Sequence, residues 1–142
     1  MTLRHGKAHM TRSVLEGITY GMNDSLQLMR NLGLEISEVR ASGGGAKSDF
    51  WLQMQADIYG SKVVTTNVTE GAAFGAAVLA GVASGVYSDL DSAANQIVKN
   101  TGETEPGKDQ VIYTDFYPEY QALYPALKDR FASVGKVVER HL

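Results

Sequence analysis

The sequence predicts an α/β fold in which short parallel strands alternate with packed helices. Three observations carry that expectation. Apolar residues recur at helical spacing in several separate segments, and short extended stretches lie between the first of them. The elements also run helix, strand, helix, strand, helix, and two strands joined through a helix pair in parallel. With 142 residues the chain is long enough for one domain, or part of one, with a substantial core.

The first helix is expected between residues 8 and 32, where Leu15, Ile18, Met22, Leu26, Met29 and Leu32 recur at gaps of three or four and Gly33 stops the pattern. Gly17 and Gly21 lie inside it, and each costs roughly 1 kcal/mol against alanine. A close approach by another element is the expected compensation. Residues 38–42 read as a short strand that runs directly into Gly43, Gly44 and Gly45. A second helix follows from Ser48 or Asp49 to Tyr59, with Trp51, Met54, Gln55 and Ile58 along one side, and Gly60 ends it. Ser48 or Asp49 would cap its first turn by accepting from free backbone N–H groups.

Residues 62–66 (KVVTT) are β-branched and read as a second strand. The helix expected over 70–85 (EGAAFGAAVLAGVASG) stacks glycine and alanine at four-residue spacing, which suits it to sit very close to a sheet or another helix. Residues 91–99 suggest another short helix. By composition 101–110 (TGETEPGKDQ) is a loop, and 111–116 reads as a short extended piece. Tyr120, Tyr124, Leu127 and Phe131 mark a last amphipathic helix with Pro118 at its start. No internal repeat is present.

Composition excludes several function classes. Net charge is −3 and the basic residues are scattered, so the electrostatic footprint of a nucleic-acid binder is missing. There is no cysteine, which removes disulfides and thiolate metal sites and fits a reducing cytoplasm. The first ten residues are polar, with Arg4, His5, Lys7 and His9, unlike a secretory signal. The most apolar run, residues 72–83, is too short to span a bilayer, so no membrane partner is expected. His5, His9 and His141 lack ligand spacing, and no metal site is expected from them.

The stretch ASGGGAKSDFW, residues 41–51, is the candidate functional motif. A Walker loop needs Gly-x-x-x-x-Gly-Lys-Ser/Thr, and here its two glycine positions hold Ala41 and Ala46. A dinucleotide fingerprint starting at Gly43 would need glycine where Ser48 stands, and an acidic residue ending the next strand, which instead ends near Asn67. Two readings remain open. Consecutive glycines between a strand and a helix N-terminus form a bare backbone surface for a nucleotide, with amides and helix dipole favouring a phosphate. Alternatively, the glycines serve only a turn that needs positive φ.

Longer blocks carry a resemblance. ASGGGAKSDFWLQMQADIYG (residues 41–60) and VVTTNVTEGAAFGAAVLAGVASGVY (63–87) resemble the C-terminal part of the FGGY family of carbohydrate kinases. TRSVLEGITYGMNDSL (11–26) is similar to the helix before that family's glycine strand, and QALYPALKDRF (121–131) to its closing helix. The blocks occur in family order over most of the chain.

The resemblance implies part of an actin-like, ribonuclease-H-like ATPase domain. Residues 1–142 would be the C-terminal part of the second, nucleotide-facing domain, with the N-terminal domain absent. It implies transfer of the γ-phosphoryl group of ATP, with Mg2+, to a sugar hydroxyl. Members acting on D-xylulose at its 5-hydroxyl are the nearest in look; a kinase for another ketose or polyol, or a non-catalytic packing or oligomerisation module, are the rival readings. Carried over by position, Gly43, Gly44 and Gly45 would form a backbone wall beside ATP, continued by Ala46, Lys47 and Ser48. Ser48 would offer a polar contact to the adenine, and Lys47 would face solvent rather than the phosphates.

The family's aspartate base lies upstream of the resembled segment, so no catalytic residue and no metal ligand is expected in this chain, and the fragment alone should be inactive. Asp24, Asp49, Asp57, Asp89 and Asp91 are expected to cap helices or be solvated. Glu70 is an ordinary acidic residue at a helix start. Trp51 is expected in the core or at a domain contact, and Tyr117, Tyr120 and Tyr124 as packing groups with polar tips. Uncovered edges of such a fragment would allow a homodimer.

Overall fold

The computed structural model describes residues 2–141. Its elements run α1 (Lys7–Asn31), β1 (Glu38–Ala41), a 3-10 turn (Gly44–Lys47), α2 (Asp49–Tyr59), β2 (Lys62–Thr66), α3 (Gly71–Ala83), α4 (Leu90–Ile97), β3 (Asn100–Thr104) and α5 (Gln110–Glu139). The three strands form one sheet in the order β1-β2-β3. β1 and β2 are parallel, with Val39 opposite Val63 and Ala41 opposite Thr65, and α2 makes the crossover between them. β3 runs antiparallel to β2, with Val63 opposite Thr104 and an irregularity between Thr65 and Thr66.

Helix α2 lies at the centre. Its Leu52, Met54, Ala56, Ile58 and Tyr59 are buried together with Tyr20 of α1, Val63 of β2 and Tyr113 of α5. Both faces of the middle strand are covered, because the successive residues Val63 and Val64 are buried and point to opposite sides. The α1–α5 seam is aromatic: Tyr20 stacks on Tyr120 at 5.1 Å and on Tyr117 at 5.8 Å, and meets Tyr113 edge-on at 6.1 Å. Such pairs add about 0.5–1.5 kcal/mol beyond their buried area. Arg12 joins the same helices by donating to the Tyr113 hydroxyl at 2.7 Å and to Glu16 at 2.8 Å. At the far end of α1, Arg30 donates to the Tyr59 carbonyl and to Ser61 Oγ, which fastens the turn between α2 and β2. Gly60 sits in that turn at φ +59°, where a side chain would be strained.

The expected α1, β1, α2, β2, α3 and α4 are present within two residues of their expected ends. The C-terminal third differs. The stretch read as a loop contains β3, which lacks β-branched periodicity and is held by its neighbour: Lys62 pairs with Glu103 at 3.2 Å and Thr65 with Thr101 at 3.1 Å. Asn67, just beyond β2, adds a side-chain clamp, accepting from the Lys99 N–H and donating to the Ile97 carbonyl. Residues 111–116 are helical, not extended, and Pro118 and Pro125 stand inside α5 rather than before it. Each proline frees the carbonyl four residues back, at Thr114 and Gln121; both residues are exposed, so water satisfies them.

Close approach at the small residues of α1 and α3 is realised at Gly81, where a Cβ would stand 2.9 Å from the Tyr87 ring, and largely not elsewhere. Gly21 meets only the Tyr120 hydroxyl at an ordinary 3.5 Å, and nothing lies within 4 Å of a Cβ at Gly17, Gly71 or Gly75. Among the described residues no helix is long and apolar enough to cross a membrane.

Burial raises the Tyr20 and Tyr59 hydroxyls from 10.0 to about 12. Their neutral forms are thus favoured by folding, so this stability is complete below pH 10 and is lost as pH rises towards 12. Urea midpoints should hold steady from neutral pH to about pH 9 and fall steeply by about pH 11, and Tyr59→Phe should shrink that fall.

Candidate functional site

Parallel pairing of β1 and β2 puts their carboxyl ends at one edge of the sheet. The glycine stretch leaves β1 there, and residues 67–70 leave β2 there to enter α3. In open α/β sheets ligands bind in the crevice outside the carboxyl ends of strands. Gly43 turns the chain with φ +78°, residues Gly44–Lys47 form the 3-10 turn, and Ser48 returns to extended backbone as N-cap of α2. The Ser48 hydroxyl accepts from the Trp51 N–H at 3.3 Å, and the Ser48 N–H donates to the Gly45 carbonyl at 3.2 Å. The cap expected at Ser48 or Asp49 is therefore Ser48, with Asp49 in the first turn. Its hydroxyl hydrogen stays free to donate.

The three glycines answer to different constraints. Gly43 needs its positive φ, which a side chain rarely adopts. A Cβ on Gly45 would overlap Cζ3 and Cε3 of Trp51, so the indole occupies that space. Gly44 has ordinary φ, and nothing lies within 4 Å of where its Cβ would be. Nothing inside the fold requires glycine at 44. Ala46 is half-buried beside it, while Lys47 and Ser48 are exposed.

Several residues that the sequence did not single out hold this loop against α1. The Trp51 indole N–H donates to Thr19 Oγ1 at 3.0 Å, and Thr19, fully buried, donates in turn to the Leu15 carbonyl at 2.7 Å. Arg12 lies over the Phe50 ring at 5.8 Å. Trp51 itself packs against the central core, as expected. Only its long-range partner, 32 residues away, was invisible to local spacing.

The acidic residues take mixed roles. Asp89 caps α4 by accepting from the Ser92 N–H at 2.7 Å; this backbone bond and one from Ser88 hold its carboxyl below the usual range. Asp24 accepts from the Tyr117 hydroxyl. Asp57 departs from the expected solvation: it is buried and accepts from the Gly107 N–H and from Gln53, pinning the segment before α5. Glu70 is exposed at the start of α3 and makes no side-chain cap. Tyr117 and Tyr120 are packing groups with bonded or half-exposed tips, whereas Tyr124 is exposed. A cleft of about 570 Å³ between α1 and α5, lined by Arg12, Glu16, Tyr20, Tyr113, Phe116 and Tyr120, touches none of residues 43–48.

Substitution at two adjacent glycines separates these constraints. Gly45→Ala forces a methyl into the indole and should cost about 1–3 kcal/mol of unfolding free energy. Gly44→Ala should stay within about 0.5 kcal/mol of the parent, measured by urea denaturation of each variant.

Residues 1–84 match the C-terminal domain of the FGGY family of carbohydrate kinases. A xylulose kinase from Staphylococcus epidermidis is 37% identical over 132 residues, which is 92% of this chain and 27% of that protein. Among solved structures, ligand-bound xylulose kinase from Lactobacillus acidophilus superposes with TM-score 0.83 at 29% identity, covering 94% of this chain and 27% of that one. Plasmodium falciparum glycerol kinase with ADP superposes with TM-score 0.66 at 27% identity, covering 100% of this chain and 26% of that one. The chain thus spans about a quarter of the length of each relative. These neighbours are sugar kinases of actin-like fold, the fold class the sequence led us to expect, here with a small mixed sheet. The chain belongs to the FGGY family of carbohydrate kinases.

Proposed function

We propose that this chain is the C-terminal part of the second domain of a cytoplasmic, ATP-dependent sugar kinase, and that Gly43, Gly44, Gly45, Ala46, Lys47 and Ser48 form the backbone wall beside ATP. The observation that carries the reading is Gly44. It stands at the carboxyl edge of the parallel strand pair, without a Cβ and without any internal reason to lack one. A bare backbone there leaves room for a ribose or phosphate to lie directly on the peptide. That a matched glycerol kinase was solved with ADP supports a nucleotide as the ligand.

D-xylulose, phosphorylated at its 5-hydroxyl, is the proposed acceptor, supported by xylulose kinases among both the sequence relatives and the solved structures. A polyol acceptor is the second reading, favoured by the glycerol kinase match. Phosphoryl transfer depends on positioning and charge stabilisation more than on covalent chemistry by the protein. The share of the reaction assigned to this chain is to orient the nucleotide. The first N–H groups of a 3-10 turn have no partner inside the turn, and such donors suit ribose and phosphate oxygens and do not suit a cation. Among the described residues no group of three His, Asp or Glu is placed to hold a metal. Mg2+ would enter with the ATP phosphates, its ligands and the aspartate base coming from other parts of the kinase.

Titrating the chain with ADP while following amide resonances should shift residues 43–48 and their neighbours, and Gly44→Val should remove that response while leaving the other resonances in place. In the whole kinase the same substitution should raise the KM for ATP about tenfold, equivalent to about 1.4 kcal/mol, with the sugar KM unchanged. Unaltered ATP kinetics in a folded Gly44→Val enzyme would overturn the site. The 142-residue chain alone should show no sugar-dependent ADP release in a coupled assay.

A further inference from the structure

Trp51 touches the glycine loop in two ways and helix α1 in a third. Its backbone N–H bonds the Ser48 hydroxyl at 3.3 Å, and its ring fills the place of a Cβ on Gly45. Its indole N–H bonds Thr19 Oγ1 at 3.0 Å. Thr19 lies in the middle of α1, fully buried, with its own hydroxyl hydrogen committed to the Leu15 carbonyl at 2.7 Å. With that hydrogen committed, the directions of the threonine lone pairs are fixed, and the indole N–H meets an acceptor already oriented by α1. α1 is in turn tied to α5 through Arg12, Glu16 and Tyr113. The loop rests on a plate whose angle is set by a helix far from it in sequence.

We propose that Trp51 and Thr19 are a positioning pair for the nucleotide loop: the Thr19-anchored indole supports the Gly45 backbone and so holds Gly44 and the Ser48 cap in the orientation that receives ATP. The pair touches no reacting atom and acts through the loop. This inference rests on the nucleotide reading for its purpose, but its geometry is measurable without a nucleotide.

The test uses the full chain carrying Trp51→Phe, Thr19→Val or Thr19→Ser. Trp51→Phe keeps a ring beneath Gly45 and removes the N–H; Thr19→Val keeps the shape and removes the acceptor; Thr19→Ser keeps the acceptor. Hydrogen exchange of the Ser48 and Trp51 amides is compared with that of amides in the middle of α2, as an internal control for global stability. Trp51→Phe and Thr19→Val should each speed loop exchange about fivefold relative to that control, the ratio expected for one lost hydrogen bond. Together they should do no more than either alone, and Thr19→Ser should restore the parent rate. The apparent Kd for ADP should weaken in step with loop exchange. Loop exchange unchanged in a folded Trp51→Phe chain overturns the pairing, and that variant remains decisive if Thr19→Val does not fold. If the parent chain gives no ADP response at residues 43–48, the nucleotide reading fails, while the exchange ratios still decide whether the pair positions the loop.

Discussion

Helix α2 is enclosed by α1, α5 and the sheet, and the burial of seven of its eleven residues is the constraint on which the other elements depend. Leu52, Met54, Ala56, Ile58 and Tyr59 would each lose about 1–3 kcal/mol of favourable transfer if uncovered, with alanine at the low end. Covering them requires β1 and β2 on one side and two helices distant in sequence on the others. The ends of α2 are set by the same packing. At its start Ser48 caps the free amides while Trp51 leans on Thr19; at its end Gly60 takes a left-handed turn and Arg30 closes over it. A candidate ligand loop placed just before such a helix inherits the rigidity of the whole core.

The glycine stretch shows why a motif should be divided residue by residue. Turn geometry accounts for Gly43, and an aromatic neighbour accounts for Gly45. Only Gly44 lacks an internal cause, so the proposed nucleotide contact rests on it rather than on the lysine that makes the stretch look like a phosphate loop. The acidic residues divide similarly: Asp89 is a helix cap, whereas Asp57 is a buried tie to the segment before α5.

Helix α3 follows the opposite course. Its small residues read as a close-packing surface, yet only Val78 is buried, and its packing partner within the chain is α4. Phe131, Val134 and Val138 along α5 are likewise exposed. These surfaces belong to a chain that spans about a quarter of its relatives' length.

Sequence alone determined α1, α2, β2, α3 and the glycine junction, because these depend on periodicity, β-branching and caps within a few residues of one another. The long blocks carried the family, and with it the fold class. Tertiary structure alone decided β3, whose NTGET has little strand preference of its own and forms against β2 through Asn67, Lys62 and Thr65. It also decided the start of α5, where tyrosines stacking on Tyr20 outweigh two prolines whose freed carbonyls face water. The Trp51–Thr19 contact and the separate reasons for three adjacent glycines belong to the same group. Each rests on partners tens of residues apart or on unfilled space beside a backbone, and neither quantity is written in local spacing.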